Sequence, residues 1–460
     1  MAHNHPAYDG PRGPLQHRCA ACDACDAVRQ SPALRRCTGC RLVRYCSGEH
    51  QVAHRPRHKQ LCKRMSKLRA KLAQEAHAVR HATEDFMTPA NAFATHVGRF
   101  WGILNTRDYM RARFAVADEA RLACTPDGVA EALDHFLDML RLCRSDNMGV
   151  RDHVPALMLR LDRDQEVYDF VKWWETSGQN DDFDWDDDNL APAFLDFEDE
   201  DVLEDPQFMV REYFGNLGFL APCCCSRRSC SSTSVARKVV AVRLPVELWR
   251  EVEKNAVRSP LSLKKFVGRP YNDLLQTESK LMAHCGALGR AVNAVNEVFM
   301  HELIDLREET LSYRPGAYSH GSYEHMVLAL FEVYPAWFET EEVLRLLRNA
   351  HRCSLREECD FLLGRQQQQP HHGGSLMMDK GKGKGKDVKK TGFDGVWDFL
   401  GLVVSDSPYL GPPEERSWQR EGWEDSLGDL MKGNSFDLDV YDDAAQKLEN
   451  YLTGGRGYME

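Results

Sequence analysis

The sequence predicts a mainly α-helical protein with a small metal-folded module near its N-terminal end, and three observations carry that expectation. Apolar residues recur at three-and-four spacing through long stretches between 105 and 306. Paired Cys and His residues crowd the region from Cys19 to Cys62. Several later segments are polar, glycine-rich or strongly charged and lack any apolar period, so the fold class expected is a finger, a helical body and disordered segments. At 460 residues and 43% hydrophobic, the chain is long enough for two or three domains, one with a sizeable core.

The module comes first. Cys37-Thr-Gly-Cys40, Tyr45-Cys46-Ser-Gly-Glu-His50 and His58-Lys-Gln-Leu-Cys62 place six Cys and His residues in one 26-residue window, preceded by Cys19, Cys22 and Cys25. A C-x2-C turn lets two thiolates converge on one ion, and H-x3-C on a helix sets both donors on one face. Eight such donors suffice for two closed tetrahedral sites, the arrangement zinc prefers with sulfur and imidazole. The first pair has two readings. Cys22 with Cys25 leaves a spacer of 11 residues before Cys37 and is favoured, Cys19 with Cys22 leaves 14, and Cys22 is a ligand either way. Disulfides would give the spacing of His50 and His58 no reason.

This ordered pattern, with its Tyr45-Cys46-Ser47 core, Gln51 and His58-Lys59, resembles the MYND-type zinc finger. Ligands interleave in that family, so the resemblance implies one zinc on Cys22, Cys25, Cys46 and His50 and another on Cys37, Cys40, His58 and Cys62. Two positions depart from it. His50 stands at the sixth ligand, usually Cys, and lowers the negative charge of its site by one thiolate. Arg55 stands at the usual Trp three residues before His58, which weakens the carry-over of a partner contact through that indole. The family's surface commonly binds short proline-containing peptides of other proteins, often in transcriptional regulation, and the resemblance implies partners of that kind.

Charge divides unevenly. From Arg12 to Leu72 there are fifteen Lys and Arg against three Asp and Glu, a balance of +12 within a chain whose net charge is −11. Sequence therefore describes a basic module on an acidic body. Met1-Ala-His-Asn-His-Pro is polar with no apolar run behind it, so no signal peptide is read there. No segment approaches the roughly 20 apolar residues that span a bilayer. A reducing compartment, nucleus or cytoplasm, is expected from the finger and the sixteen cysteines.

Residues 63–72 read as a basic helix, with Met65, Leu68 and Leu72 at helical spacing to pack inward. Amphipathic helices follow over Arg107 to Ala123, stopped by Thr125-Pro126-Asp127-Gly128, then Val129 to Arg144, a restart through Leu157 to Leu161, and Gln165 to Trp174. The stretch from Glu131 through Asp146-Asn147-Met-Gly149-Val150-Arg151 to Phe170 looks like divergent tetratricopeptide-type hairpins; an ordinary bundle with Asp146, Asn147 and Arg151 capping neighbouring turns is the second reading.

Asp181 to Asp205 holds thirteen Asp and Glu interleaved with Phe183, Trp185, Phe194, Leu195 and Phe197, and reads as a spacer, or as an acidic-aromatic segment for a basic surface such as the finger. Phe208 to Leu220 suggests a helix and Cys223-Cys224-Cys225 to Cys230 a Ser, Arg and Cys-rich loop. A short strand is expected over Val239 to Leu244 and a helical start over Pro245 to Asn255. Asn272 to Leu306 is the longest helical pattern, followed by Tyr323 to Tyr334, Thr340 to Ala350 and Ser354 to Leu363. Gln366 to Lys386, with its Lys-Gly run, is low-complexity, and Phe393 to Val404 and Ser435 to Leu452 are apolar patches suited to docking back or folding on a partner.

The expected organisation is a flexible N-terminus over 1–18, the finger over 19–62, a basic helix and helical hairpins over 63–180, an acidic linker over 181–207, a helical region over 208–364 with a Cys/Ser-rich loop near 221–237, a linker over 365–392 and a tail over 393–460.

An enzyme is not expected. No P-loop, G-x-G-x-x-G after a strand, H-E-x-x-H or G-x-S-x-G is present. The SET-domain lysine methyltransferases into which MYND fingers are often inserted would need an Asn-His-Ser-type cofactor motif and a late C-x-C-x2-C cluster, and neither is found. The function expected is a protein-binding module or adaptor with two structural zinc ions. A nucleic-acid-binding regulator using the basic finger ranks second, and no membrane partner is expected.

Overall fold

In the computed structural model, the described residues are 15, 17–22, 34–180, 183, 185, 194–210, 215–227, 261, 265, 271–307, 309–310, 313–339 and 347. Cys25, the strand expected over Val239 to Leu244, the helical start over Pro245 to Asn255, nearly all of Thr340 to Ala350, Ser354 to Leu363, the linker and the tail lie outside them.

A two-stranded antiparallel ribbon, β1 (Arg35–Arg36) and β2 (Arg44–Tyr45), leads into a 33-residue helix, α1 (Gly48–Arg80). Ser47 starts that helix by accepting the His50 N–H on its hydroxyl at 3.2 Å, and its extended backbone is the usual N-cap conformation. The basic helix expected from residue 63 is therefore the second half of a helix that begins inside the finger. His58, Cys62, Met65, Ala76 and Val79 form its buried face, which ties the metal ligands and the body into one continuous element.

After the short α2 (Ala92–Thr95) come α3 (Arg107–Arg121), α4 (Pro126–Leu142), α5 (Val154–Arg160) and α6 (Asp164–Glu175), each packed on the next, with α1 against α3. Thr125-Pro126-Asp127-Gly128, expected to stop a helix, starts α4. Thr125 accepts the Gly128 N–H at 3.1 Å, and Pro126 occupies the first turn, where its missing N–H costs nothing. Asp146 caps the turn before α5 by accepting the N–H groups of Val150 and Arg151 at 2.8 and 3.0 Å. That is the capping role sequence assigns it in the bundle reading.

The acidic stretch is not a bare spacer where it is described. Phe183, Trp185 and Phe194 gather around Trp173 and Trp174 of α6, with Trp185 stacked on Trp174 at 5.7 Å between ring centres. Lys172 binds Glu200 and Glu204 at 2.6 Å each, and Asp169 accepts the Asp199 and Glu200 N–H groups at 3.0 Å. The aromatic residues do what the carboxylates alone could not.

Cys223, Cys224 and Cys225 lie not in a loop but in helical residues 217–227, with no more than 2% of any of them exposed. The long helix expected over Asn272 to Leu306 divides into α7 (Tyr271–Val295) and α8 (Phe299–Ile304). Asn296 breaks it by donating its side-chain amide to the Ser322 carbonyl at 2.9 Å while its own Oδ1 accepts the Val298 N–H. Finally α9 (Tyr323–Phe338) returns to α5. The buried Arg160–Glu339 pair at 2.9 Å and Glu332 between Arg121 and His153, at 3.0 and 2.5 Å, hold it there. No helix among the described residues is long and apolar enough to cross a membrane.

Candidate metal centre

The ligands are delivered by three local structures. The Cys37–Cys40 turn closes by Arg41 N–H donating to the Cys37 carbonyl at 2.9 Å and Cys37 N–H donating to Val43 at 2.8 Å, with Arg41 in the left-handed region at φ 62°. Cys46 follows β2 directly, and His50, His58 and Cys62 sit on α1, the last two four residues apart on its buried face. The segment before the ribbon pairs with it: Cys19 bridges both Cys22 and Arg44, and Ala20 N–H donates to the Arg44 carbonyl at 2.9 Å.

These contacts gather two sets of donors, Cys19, Cys22, Cys46 and His50 in one and Cys37, Cys40, His58 and Cys62 in the other. The ligand strings interleave along the chain as the resemblance implies. The first pair, however, is Cys19 with Cys22, the reading ranked second, where sequence favours Cys25. Both choices make C-x2-C; the backbone ladder to Arg44 brings Cys19 to the site, and Cys25 lies outside the described residues.

A tetrahedral zinc with bonds of about 2.3 Å to sulfur and 2.0–2.1 Å to nitrogen requires edges of about 3.8 Å between sulfurs and about 3.5 Å between sulfur and nitrogen. In the first set the Cys22–Cys46 and Cys19–Cys46 sulfurs are 3.8 and 3.7 Å apart, and Cys19 Sγ is 3.6 Å from His50 Nδ1. In the second, Cys37 and Cys62 sulfurs are 4.0 Å apart, and His58 Nε2 is 3.3 and 3.4 Å from Cys40 and Cys37. Of these separations, the 2.8 Å between Cys46 Sγ and His50 Nδ1 falls furthest short of a tetrahedral edge. The donor sets fit zinc in composition and spacing, each with three sulfurs and one imidazole.

Electrostatics agree with that chemistry. Burial opposes ionisation of Cys19, but the N–H groups of Cys46, Ala21 and Cys22 around its sulfur outweigh it and hold the thiol down at about 6. Burial likewise opposes Cys37, where the Cys40 and Gly39 amides lower the pKa. Cys40, the most enclosed, is pushed up to about 12 by burial, with the neighbouring Cys37 adding to the rise. A divalent cation offsets such a penalty by binding the thiolate form. Burial, then His54 and Arg55, lower the His58 pKa and favour the neutral imidazole that ligates metal. His54 stacks on that ring at 5.6 Å, and Tyr45 meets it edge-on.

Pairings that sequence spacing does not reveal fix the finger to the body. Asp127, in the first turn of α4, receives Arg44 at 2.6 and 2.9 Å and Arg36 at 2.7 Å, and Thr125 donates its hydroxyl to the Leu42 carbonyl at 2.5 Å. Arg64 pairs with Glu119 and Arg69 with Glu131. Asp127 was hidden in what reads as a turn, and no periodic signal marks it. Gly39 lies so close to the second set that a Cβ there would stand 2.7 Å from Cys62 Sγ.

Residues 19–62 match the family model described as MYND finger. No curated protein and no solved structure matches the chain. With both donor sets inside the matched residues, the chain carries a MYND finger whose interleaved Cys and His ligands fit two zinc ions.

Proposed function

We propose that this chain is a non-catalytic adaptor whose finger binds a peptide segment of another protein, with transcriptional regulation as the setting and proline-containing peptides as the ligand class that the family suggests. MYND fingers generally mediate protein–protein interactions. The observation that supports an adaptor here is that each donor set is complete, with four protein ligands, so neither metal position is left open for substrate or activated water. Function then falls to the displayed surface. On the finger that surface includes Val52, 73% exposed on the first turns of α1, among exposed Gln51, Arg55 and Pro56.

Nucleic-acid binding is less well supported. Arg36, Arg44, Arg64 and Arg69 are already engaged by carboxylates of the body, which removes four cations from the +12 balance. Affinity capture with the native chain, a Val52→Asp variant and a Cys37→Ser, Cys40→Ser variant tests the proposal. Partners lost with Val52→Asp at unchanged zinc content are expected; partners retained by both variants would place binding elsewhere.

A further inference from the structure

The side of α1 turned away from the zinc sites has an uneven composition along its length. Val52, Pro56, Lys59, Lys63 and Lys67 follow one another at steps of four, three, four and four residues, which keeps them on one helical face, and all five are exposed. That face lies opposite His58, Cys62, Met65, Ala76 and Val79. Its first third is apolar and the rest cationic. Among the described residues no carboxylate pairs with Lys59, Lys63 or Lys67, whereas Arg64, Arg69 and Lys71 on the same helix are each paired. Fixed on two zinc sites and on α3, the face presents three lysines over about 12 Å and an apolar patch next to them.

A ligand for such a face needs apolar groups together with several carboxylates and no cations. Stretches of the tail free of Lys and Arg offer both, 421–431 and 436–443 among them, and the second is the denser, with four carboxylates and four apolar side chains in eight residues against the same in eleven. In 181–205, Phe183, Trp185 and Phe194 are committed to Trp173 and Trp174, and Glu200 and Glu204 to Lys172. In the tail, Phe436-Asp437-Leu438-Asp439-Val440-Tyr441-Asp442-Asp443 carries four carboxylates and four apolar side chains, and no Lys or Arg occurs from 433 to 446. Eight extended residues reach about 26 Å, and the face from Val52 to Lys67 is about 22 Å long. Between Glu339 and Phe436 lie 96 residues, so chain length places no limit on the encounter.

We propose that residues 436–443 dock on the Val52 to Lys67 face of α1 and cover the finger's displayed surface from within the same chain. This rests on the reading of that surface as the binding face and adds its regulation: an external peptide must displace the tail. Contacts between three lysines and four aspartates in solvent weaken with salt, so the covered state is salt-sensitive.

Lysine acetylation of the full chain by an N-hydroxysuccinimide ester, read residue by residue by mass spectrometry, tests it. The native chain is compared with a variant carrying Asp437→Asn, Asp439→Asn, Asp442→Asn and Asp443→Asn, with exposed Lys280 of α7 as internal reference. Lys59, Lys63 and Lys67 are expected to react several-fold faster in the variant and in the native chain at high salt, with Lys280 unchanged. Equal rates in the two proteins overturn the proposal, as does slow reaction relieved by nuclease, which makes nucleic acid the occupant, or protection that rises with chain concentration, which makes it a second copy. If lysine rates are equal while capture still depends on Val52, only the tail is excluded and the binding face stands.

Discussion

Replacing Gly39 with alanine adds one methyl group to the Cys37–Cys40 turn, and the structure says where it goes. The new Cβ would lie 2.7 Å from Cys62 Sγ, while ordinary contacts begin at 3.4 Å, so the sulfur or the turn must give by about 0.7 Å. Metal–ligand bonds tolerate about 0.2 Å. Gly39 has no left-handed φ, so alanine meets no backbone strain there and the contact with sulfur is isolated as the cause. Loss of a direct ligand is expected to cost at least the roughly 100-fold in affinity that an outer-shell change can cost. Competitive titration with a chromophoric chelator should therefore find one tight and one weakened zinc in Gly39→Ala. Gly48→Ala is the control, since nothing lies within 4 Å of its added Cβ, and it should keep both ions tight. Two zincs of native affinity in Gly39→Ala would refute the placement of Cys62 beside this turn.

Three further outcomes are expected. Cys19→Ser should lose one zinc per chain and Cys25→Ser none, as read by metal analysis; the reverse would restore the pair favoured from sequence. Asp127→Asn should lower unfolding stability at pH 7 by about 2 kcal/mol, less than a fully buried pair because Arg44 and Arg36 are 21% and 55% exposed. Burial opposes ionisation of Asp127, but the hydrogen bond and charge of Arg44, with Arg36, prevail and lower its folded pKa. Its stabilisation is then full above the ordinary carboxylate pKa of about 3.9 and is lost as pH falls through the lowered value, so native and variant should converge only in acid. Glu339→Gln removes the carboxylate that Arg160 binds in the interior, leaving it the charge of Glu332, and should cost about 3 kcal/mol in denaturant unfolding; a loss under about 1 kcal/mol would contradict the burial of that pair.

What was legible in the sequence followed how local its cause is. Cys37 with Cys40, Cys46 with His50 and His58 with Cys62 are each set by one turn of chain, and spacing alone pairs them. Cys19 against Cys25 depends on which residue meets Arg44 across a backbone ladder, which spacing does not encode. The main helical segments of the body were visible in their apolar period, but Thr125-Pro126-Asp127 reads the same as a stop and as a start, and Asn296 breaks α7 from α8 through a partner 26 residues away. Cys223 to Cys225 looked like a polar loop because Ser and Arg surround them; burial of three adjacent thiols on one helix is a tertiary outcome. Composition likewise marked 181–205 as a spacer, while Phe183, Trp185 and Phe194 were drawn in by two tryptophans on α6.

Zinc-edge X-ray absorption of the native chain tests the two closed Cys3His sites most directly. The predicted spectrum averages three sulfurs at about 2.3 Å and one nitrogen at about 2.0–2.1 Å over two ions per chain. An oxygen shell, a sulfur count away from three, or fewer than two ions per chain would contradict the sites described for residues 19–62.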